Sequence, residues 1–203
     1  MRNPWVREYA RTPERYIWGK AASAFATEVA PLVPAGGRVL DLGCGEGRDS
    51  VYFAACGFDV TALDVSPDGL KKAERLAHER GVNVRWLCRS MLDVPVAGRF
   101  DLVYSCGSIH HVSKESRGRL FRRLKVLTCP GGINAHIVFT DVSVYREKGE
   151  DIDYFTRGDL GRIYDGWSAL TYEAGRISCA QDGVRHSHSV ETIVCSRPEC
   201  MTR

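Results

Sequence analysis

The first third of the chain contains two acidic residues and alternating glycines whose types and spacing suit a nucleotide-like ligand. Apolar residues lead into the run Asp41-Leu42-Gly43-Cys44-Gly45-Glu46-Gly47, and a helix-like segment follows. Glycine lets the backbone turn sharply and approach a ligand closely, and a helix start presents free N–H groups to a polar group. Asp64 ends the next apolar run, where an acid of a doubly wound sheet accepts hydrogen bonds from adenosine ribose hydroxyls.

The glycine spacing distinguishes between cofactor classes. The dinucleotide fingerprint needs a third glycine at position 48, where this chain has Arg48. No G-K-[ST] follows, which excludes a phosphate-binding P-loop. The observed D-x-G-x-G-x-G pattern resembles the first motif of the class I S-adenosylmethionine (SAM)-dependent methyltransferases, and a nicotinamide site stays open as the alternative.

The elements around this pattern alternate between strands and helices. Strands are predicted before Asp41 and at 58–63, 82–88, 100–104 and 133–139. Helices are predicted from Thr12-Pro13 to Ala30, at 48–56 and at 66–81, and over the basic segment from Arg117 to Leu127, which carries Leu120, Leu124 and Leu127 on one face. Such alternation implies an α/β fold with a Rossmann-like, doubly wound, mostly parallel sheet. A short helix after Thr156 and an antiparallel C-terminal hairpin (168–173 with 189–196) are predicted to follow.

The length and composition of the chain indicate a single domain. A chain of 203 residues with 44% hydrophobic and 26% charged residues suits a single globular methyltransferase-sized domain, 1–203. We expect an N-terminal lid or helix segment (1–30), a cofactor-binding core (36–140) and substrate-side C-terminal elements (150–197). The net charge of +3 is too weak to indicate a nucleic-acid partner. No apolar run is long enough for a membrane span, so we expect a cytoplasmic protein. We expect it to be a monomer or a homodimer.

The resemblance to class I methyltransferases extends to later motifs. These are Asp64, the segment Arg89-Ser90-Met91-Leu92-Asp93-Val94-Pro95, and the Pro130-Gly131-Gly132 turn before a strand. Ser90 departs from the family, because an acid is usual at its position. The resemblance implies that SAM is the cofactor and S-adenosylhomocysteine the product. The SAM-binding residues that it implies are Asp41, Gly43, Cys44, Gly45, Asp64, Val65, Ser90, Met91, Leu92 and Ser105.

Two further segments are similar to the tellurite-resistance (TehB-like) methyltransferases. The first is Gly45-Glu46-Gly47-Arg48-Asp49-Ser50, followed by Gly57-Phe58-Asp59-Val60-Thr61-Ala62-Leu63-Asp64. The second is the tail, Gly158-Asp159-Leu160-Gly161-Arg162-Ile163-Tyr164-Asp165-Gly166-Trp167 and then Tyr172-Glu173-Ala174-Gly175. This resemblance implies a small-molecule acceptor such as a chalcogen oxyanion, tellurite or selenite. Fold similarity does not fix the substrate. O-, N- or S-methylation of an organic metabolite and non-catalytic SAM binding therefore stay as alternatives.

Three side chains are candidate catalytic groups. His110 and His111 follow the fourth predicted strand, where the family's methionyl moiety and substrate meet, and Glu173 lies in the TehB-like tail. Adjacent side chains point in different directions, so we expect at most one of the two histidines to face a substrate. The N-terminal segment combines four large aromatic residues with arginines, which suits a lid over the site.

Cysteine and histidine spacing gives little indication of a metal. The eight cysteines include no C-x-x-C pair, and we expect buried free thiols. His186 and His188 would share one strand face. Two histidines alone do not make a metal site, so no metal is predicted and a solvent-facing hairpin tip is the favoured interpretation.

Overall fold

The computed structural model of the protein describes residues 4–94, 98–145, 152–180 and 183–199. The first three residues of the predicted lid, and Pro95 of the predicted motif, lie outside this part. The strands are β1 (Arg38–Leu42), β2 (Asp59–Asp64), β3 (Arg85–Cys88), β4 (Phe100–Cys106), β5 (Thr128–Phe139), β6 (Ser168–Cys179) and β7 (His186–Ser196). The α-helices are α1 (Pro4–Arg11), α2 (Ala24–Val29), α3 (Arg48–Ala55), α4 (Pro67–Arg80), α5 (Lys114–Leu127) and α6 (Asp159–Ile163).

The seven strands form one sheet in the order β3-β2-β1-β4-β5-β7-β6. Strands β1 to β5 are parallel, whereas β7 runs antiparallel to both β5 and β6. The predicted doubly wound α/β sheet with an antiparallel C-terminal hairpin is confirmed. The strand order reverses between β1 and β4, and ligands of such sheets bind at the carboxyl ends of the strands beside this reversal.

The core lies on both faces of the sheet. Leu40 and Leu42 of β1 pack in one apolar cluster with Leu124 of α5. Val39 packs in the opposite cluster with Phe53 of α3. Since successive strand residues point to opposite faces, one strand supplies both layers, and α5 buries the leucine stripe that its sequence predicts.

Capping residues set the ends of α4 where the sequence predicts them. The Ser66 hydroxyl accepts a hydrogen bond from the Gly69 N–H (3.1 Å), and Pro67 occupies the first turn. Gly81 ends the helix in the left-handed conformation, with φ of 66°. These signals are local, which is why the sequence suffices to predict them.

The single helix predicted from Thr12 to Ala30 is wrong. Helix α1 precedes Thr12, and α2 begins only after Ser23, whose hydroxyl accepts a hydrogen bond from the Ala26 N–H (3.1 Å). Between the two helices the backbone N–H groups of Ile17 and Trp18 donate to a distant carboxylate. The segment thus uses its hydrogen bonds for tertiary contacts and not for a helix.

Two predicted boundaries in the second half also shift. Strand β5 begins at Thr128, and the predicted turn Pro130-Gly131-Gly132 is an irregularity inside it, between the pairs Phe100–Thr128 and Leu102–Ile133. Helix α6 begins at Asp159, with Gly158 and not Thr156 as its N-cap, although the Asp159 carboxylate accepts the Thr156 N–H (2.8 Å) as a capping box would require. The C-terminal hairpin is longer than predicted, because β6 continues to Cys179. Within the described ranges no helix has the length and apolarity to cross a bilayer.

Candidate functional site

A cavity of about 560 Å³ opens at the carboxyl ends of the parallel strands. The cavity is lined on one side by Val65, after β2, and Met91, after β3. The loop after β1 lines its middle, and Ile137 and Phe139 of β5 line the other side. Of the cofactor residues that the sequence implies, all except Ser105 line the cavity: Asp41, Gly43, Cys44, Gly45, Asp64, Val65, Ser90, Met91 and Leu92.

The glycine loop (residues 43–47) is shaped by protein neighbours. Gly43 and Gly45 have φ of 71° and 55°, which side-chain-bearing residues rarely adopt. A Cβ at Gly43 would lie 2.5 Å from the Ser108 Cβ, and one at Gly45 would lie 2.6 Å from the Tyr9 hydroxyl. The loop therefore needs glycine for its own packing.

Asp64 joins the glycine loop to α4 through its carboxylate. One oxygen accepts the Gly45 N–H (2.9 Å) and the other accepts the Ser66 N–H (2.8 Å). Burial raises the pKa of Asp64, and these backbone donors partly offset that shift. Each carboxylate oxygen has capacity for a further hydrogen bond, so the side chain can still accept from a ligand in the cavity.

Asp41 is a second buried carboxyl in the wall. The Ser50 hydroxyl donates to it at 2.5 Å. Burial raises the pKa of Asp41 to about 7, because few charges compensate the ionised form. A cationic ligand would supply the missing charge.

Ser90, Met91 and Leu92 form the cavity wall after β3. The Ser90 hydroxyl accepts the Leu92 N–H (3.2 Å) and begins a short 3-10 helix, Met91–Asp93. Met91 and Leu92 are partly buried against the core and offer an apolar surface beside Val65. Such a surface suits the flat face of an aromatic ring.

Aromatic residues of the N-terminal cover (residues 4–18) close one side of the cavity. Trp5, Tyr9 and Trp18 all line it. The Trp18 indole N–H donates to the Tyr9 hydroxyl (3.1 Å), and the rings of Trp5 and Trp18 lie 4.8 Å apart. The cover thus forms part of the wall, in the region where the sequence predicts a lid.

A buried ion pair holds the cover in place. Lys72 Nζ lies 2.8 Å from a Glu46 carboxylate oxygen, and the two side chains are 2% and 1% exposed. Glu46 also accepts the N–H groups of Ile17 and Trp18, each at 3.0 Å, and Lys72 donates to the Arg15 carbonyl (2.9 Å). This ion pair was not predicted from the sequence. A signal exists, since Lys72 falls on the apolar face of α4 between Gly69 and Ala73.

The structure separates the two adjacent histidines. His111 lines the cavity, and burial lowers its pKa to about 4. His110 is buried behind the wall, where its ring stacks on Phe139 at 3.9 Å and its Nδ1 accepts the Phe139 N–H (3.4 Å). Of the two, only His111 is placed to meet a ligand.

Ser105 points away from the cavity into a buried polar network. Its hydroxyl lies 2.8 Å from His136 Nδ1, and His136 Nε2 lies 2.8 Å from the Tyr164 hydroxyl. Tyr164 donates onward to Asn134 (2.7 Å), so His136 donates through Nε2 and accepts from Ser105. Burial lowers the pKa of His136 to about 3, and the neutral ring is a structural group.

The carboxylate of the C-terminal hairpin that makes buried contacts is Glu191 and not Glu173. Glu173 is exposed on the edge strand β6 and does not line the cavity. Glu191 is 1% exposed and accepts the N–H groups of Gly158 and Leu160 and the hydroxyl of Tyr172. It therefore anchors the start of α6 to β7.

The prediction that His186 and His188 face solvent is wrong. His188 is fully buried and stacks on Phe139 at 3.9 Å, and His186 is half-buried with its ring on Tyr145 at 3.6 Å. The β6–β7 pairing continues beyond the end of β5, where the His188 ring stacks on Phe139, the last residue of that strand. All seven described cysteines are free thiols, as the sequence predicts, but the expectation that they are buried is wrong: of the seven only Cys195 is buried, and Cys56 and Cys88 are exposed.

Comparisons with known proteins identify methyltransferases that are similar to this chain. Residues 39–132 match a family described as a methyltransferase domain. A ubiquinone biosynthesis O-methyltransferase of Xanthomonas axonopodis is 39% identical over 105 residues, 51% of this chain and 43% of that protein. An uncharacterized methyltransferase of Mycobacterium bovis is 31% identical over 140 residues, 67% of this chain and 68% of that protein. The chain thus spans about two-fifths of the ubiquinone enzyme and two-thirds of the mycobacterial protein.

TehB of Haemophilus influenzae is similar in sequence and in fold. It is described as a probable S-adenosyl-L-methionine-dependent methyltransferase and is 23% identical over 135 residues, 66% of this chain and 47% of that protein. The crystal structure of TehB superposes with a TM-score of 0.79 at 20% identity, covering 88% of this chain and 63% of that one. At this identity the likeness concerns the fold.

Proposed function

Because this chain belongs to the class I SAM-dependent methyltransferases, we propose that it transfers the methyl group of SAM to a small acceptor whose nucleophile is a soft chalcogen atom. Sulfur, selenium and tellurium centres, including the oxyanions selenite and tellurite, are of this class. The proposal rests on the chemistry of the cavity wall at the end that faces β4 and β5.

The residues of the wall fit SAM. The fit rests on two buried carboxyls beside the glycine loop and on an apolar surface after β3. Asp64 would accept ribose hydroxyls, Met91 and Leu92 would pack on the adenine, and Asp41 would balance the positive charge of the methionyl part. When bound, SAM supplies a methyl group already activated by its sulfonium.

The remaining task of the protein is to exclude water and orient the acceptor. Trp5 and Trp18 from the N-terminal cover, together with Phe139 and Ile177 on the hairpin side, give the cavity an apolar enclosure. Removing water from a soft nucleophile strengthens its attack, and fixed walls hold it in line with the methyl group.

The main support for the proposal is that the side chains at the β4 and β5 end of the cavity are weak bases at neutral pH. Among the described lining residues from the end of β4 onward (106–177), the titratable side chains are Cys106 and His111, and burial raises the pKa of Tyr104, which lines the cavity earlier on β4. Burial raises the pKa of Cys106 to about 11 and lowers the pKa of His111 to about 4. A wall with so little basicity suits an acceptor that needs no deprotonation.

An acceptor panel tests the proposal. We expect turnover with selenite, tellurite or thiolates and little with phenols or amines, measured as S-adenosylhomocysteine release. Since His111 stays neutral above about pH 5, it should contribute no limb to the pH–rate profile between about pH 6 and 8. His111→Ala should lower kcat by less than about tenfold, because a working general base supplies about 10²–10⁴. Glu173→Gln, on the exposed edge strand, is the matched control.

A phenolic acceptor is the second candidate, favoured by the ubiquinone biosynthesis O-methyltransferase among the relatives. It requires a base, so His111→Ala would lower kcat by at least about 100-fold and the pH–rate profile would show a limb. That result would overturn the chalcogen proposal and keep the methyltransferase assignment. SAM binding without turnover on any acceptor would instead indicate a non-catalytic SAM-binding protein.

The affinity for SAM should depend on pH through Asp41. Its pKa of about 7 means that the carboxyl is mostly protonated at pH 6 and mostly ionised at pH 8. The ionised form attracts the cationic cofactor, so we expect affinity to rise about tenfold from pH 6 to pH 8. Isothermal titration calorimetry measures the profile. Asp41→Asn should flatten it and Asp59→Asn should not, whereas a flat wild-type profile would contradict the role of Asp41.

A further inference from the structure

We propose that Cys179, His186 and His188 form a binding site for one zinc-like transition-metal ion, separate from the SAM cavity. The three residues lie where β6 and β7 meet at the tip of the hairpin. None of them lines the cavity. The proposal is independent of the acceptor and of the methyltransferase activity.

The strand register brings the three donors together. Cys179 of β6 pairs directly with His186 of β7, and His186 and His188 are two residues apart on one strand. Their ligand atoms all lie within 4.8 Å of one another, and the two Nε2 atoms are 2.9 Å apart. Zinc with tetrahedral sulfur and nitrogen ligands places its donors about 3.3–3.6 Å apart. Small side-chain rotations therefore bring all three onto one ion.

The tautomer of His186 is the one that a metal ligand needs. Its Nδ1 lies 2.8 Å from the Val184 carbonyl oxygen. A carbonyl only accepts, so Nδ1 carries the proton and Nε2 presents its lone pair toward His188. Histidines that bind metals commonly donate their second N–H to a backbone carbonyl in this way, which fixes the ring.

Ring stacking holds the two imidazoles in their positions. His188 is fully buried and stacks on Phe139 at 3.9 Å, while His186 stacks on Tyr145 at 3.6 Å with an interplanar angle of 7°. The planes of the His186 and His188 rings are nearly perpendicular to each other. His186 and Cys179 are half-buried, which leaves the ion a path from solvent.

The donor set defines the class of ion. Thiolate and imidazole donors select zinc and similar late transition metals, whereas magnesium and calcium require oxygen ligands. On binding, the Cys179 thiol loses its proton to solvent as the metal–sulfur bond forms, and the proton that His188 Nε2 shares with His186 moves to His188 Nδ1, which frees Nε2 for the ion. Three protein ligands leave a fourth coordination position for water or another small ligand.

Metal titration of the full chain tests the site. After chelator treatment, Zn²⁺ alone is titrated by calorimetry, and Co²⁺ is added in a separate experiment. We expect one Zn²⁺ per chain and, with Co²⁺, a thiolate charge-transfer band together with the visible absorption of a tetrahedral site. Loss of partners in the outer shell of metal sites costs about 10–100-fold in affinity. Loss of a ligand in Cys179→Ser or His186→Ala should therefore weaken Zn²⁺ binding by at least about 100-fold.

Controls separate this site from other thiols and from folding. Cys56→Ser changes an exposed cysteine at the end of α3 and should leave Zn²⁺ affinity unchanged. Circular dichroism and SAM binding report whether the Cys179 and His186 variants are folded. The proposal is overturned by Zn²⁺ binding that survives both variants, by a cobalt complex without the thiolate band, or by no binding at micromolar Zn²⁺.

Discussion

Replacing Asp64 by alanine is expected to weaken SAM binding by at least about 100-fold. The carboxylate is 9% exposed in the cavity wall and would accept two ribose hydroxyls. Hydrogen bonds to a charged acceptor contribute about 1.5–3 kcal/mol each, and every 1.4 kcal/mol is a factor of ten in affinity. Two such bonds give the expected loss.

The substitution also removes the acceptor for the Gly45 and Ser66 N–H groups. Asp64→Asn, which retains one oxygen acceptor, should keep more of the loop structure while still losing the ionised group. Asp59→Ala is the matched control, because Asp59 lies at the opposite end of the same strand, exposed and away from the cavity. Calorimetry with SAM gives the affinities and thermal unfolding reports the fold. An Asp64→Ala affinity within threefold of the wild type would exclude the ribose role.

Replacing Glu46 by alanine should lower the free energy of unfolding by about 3–5 kcal/mol, because the buried Lys72 ammonium loses its carboxylate partner. The N–H groups of Ile17 and Trp18 lose their acceptor as well. The cover should therefore loosen, with faster amide exchange over residues 12–18. Denaturant unfolding measures the stability, and hydrogen exchange locates the change.

A second Lys–Glu pair provides the control for Glu46. Lys20 and Glu79 also join the N-terminal region to α4, at 2.6 Å, but their side chains are 42% and 41% exposed. Exposed pairs contribute about 0–1 kcal/mol, so Glu79→Ala should have little effect. The double variant Glu46→Gln, Lys72→Met removes both charges and keeps a carbonyl acceptor, and it should recover part of the stability. A loss below 1 kcal/mol in Glu46→Ala would contradict the anchoring role.

Local signals in the sequence predicted much of the fold. Ser66 and Gly81 delimit α4, and the glycine run after β1 predicts the turn that the structure contains. Each depends on neighbours a few residues away. The parallel α/β sheet also follows from the alternation of strands with helices, whereas the order of the strands was not predicted.

The failed predictions involve contacts between distant parts of the chain. The sequence of the N-terminal segment predicts a helix because the carboxylate that accepts its N–H groups, that of Glu46, lies 28 or more residues away. The sequence singled out Glu173 as the hairpin carboxylate, whereas the pairing of β7 with both β5 and β6 buries Glu191 instead. The positions of His186 and His188 depend likewise on stacking against Tyr145 and Phe139.

Glu46 lies inside the glycine loop, and its carboxylate binds the N-terminal cover. The loop that would contact SAM and the segment that closes the cavity therefore share one residue. Their free energies are thermodynamically linked: a ligand that orders the loop also favours the docked cover, and a docked cover favours the ligand by the same factor. A substitution at Ile17 or Trp18 that loosens docking should consequently appear as weaker cofactor affinity, although Ile17 does not line the cavity.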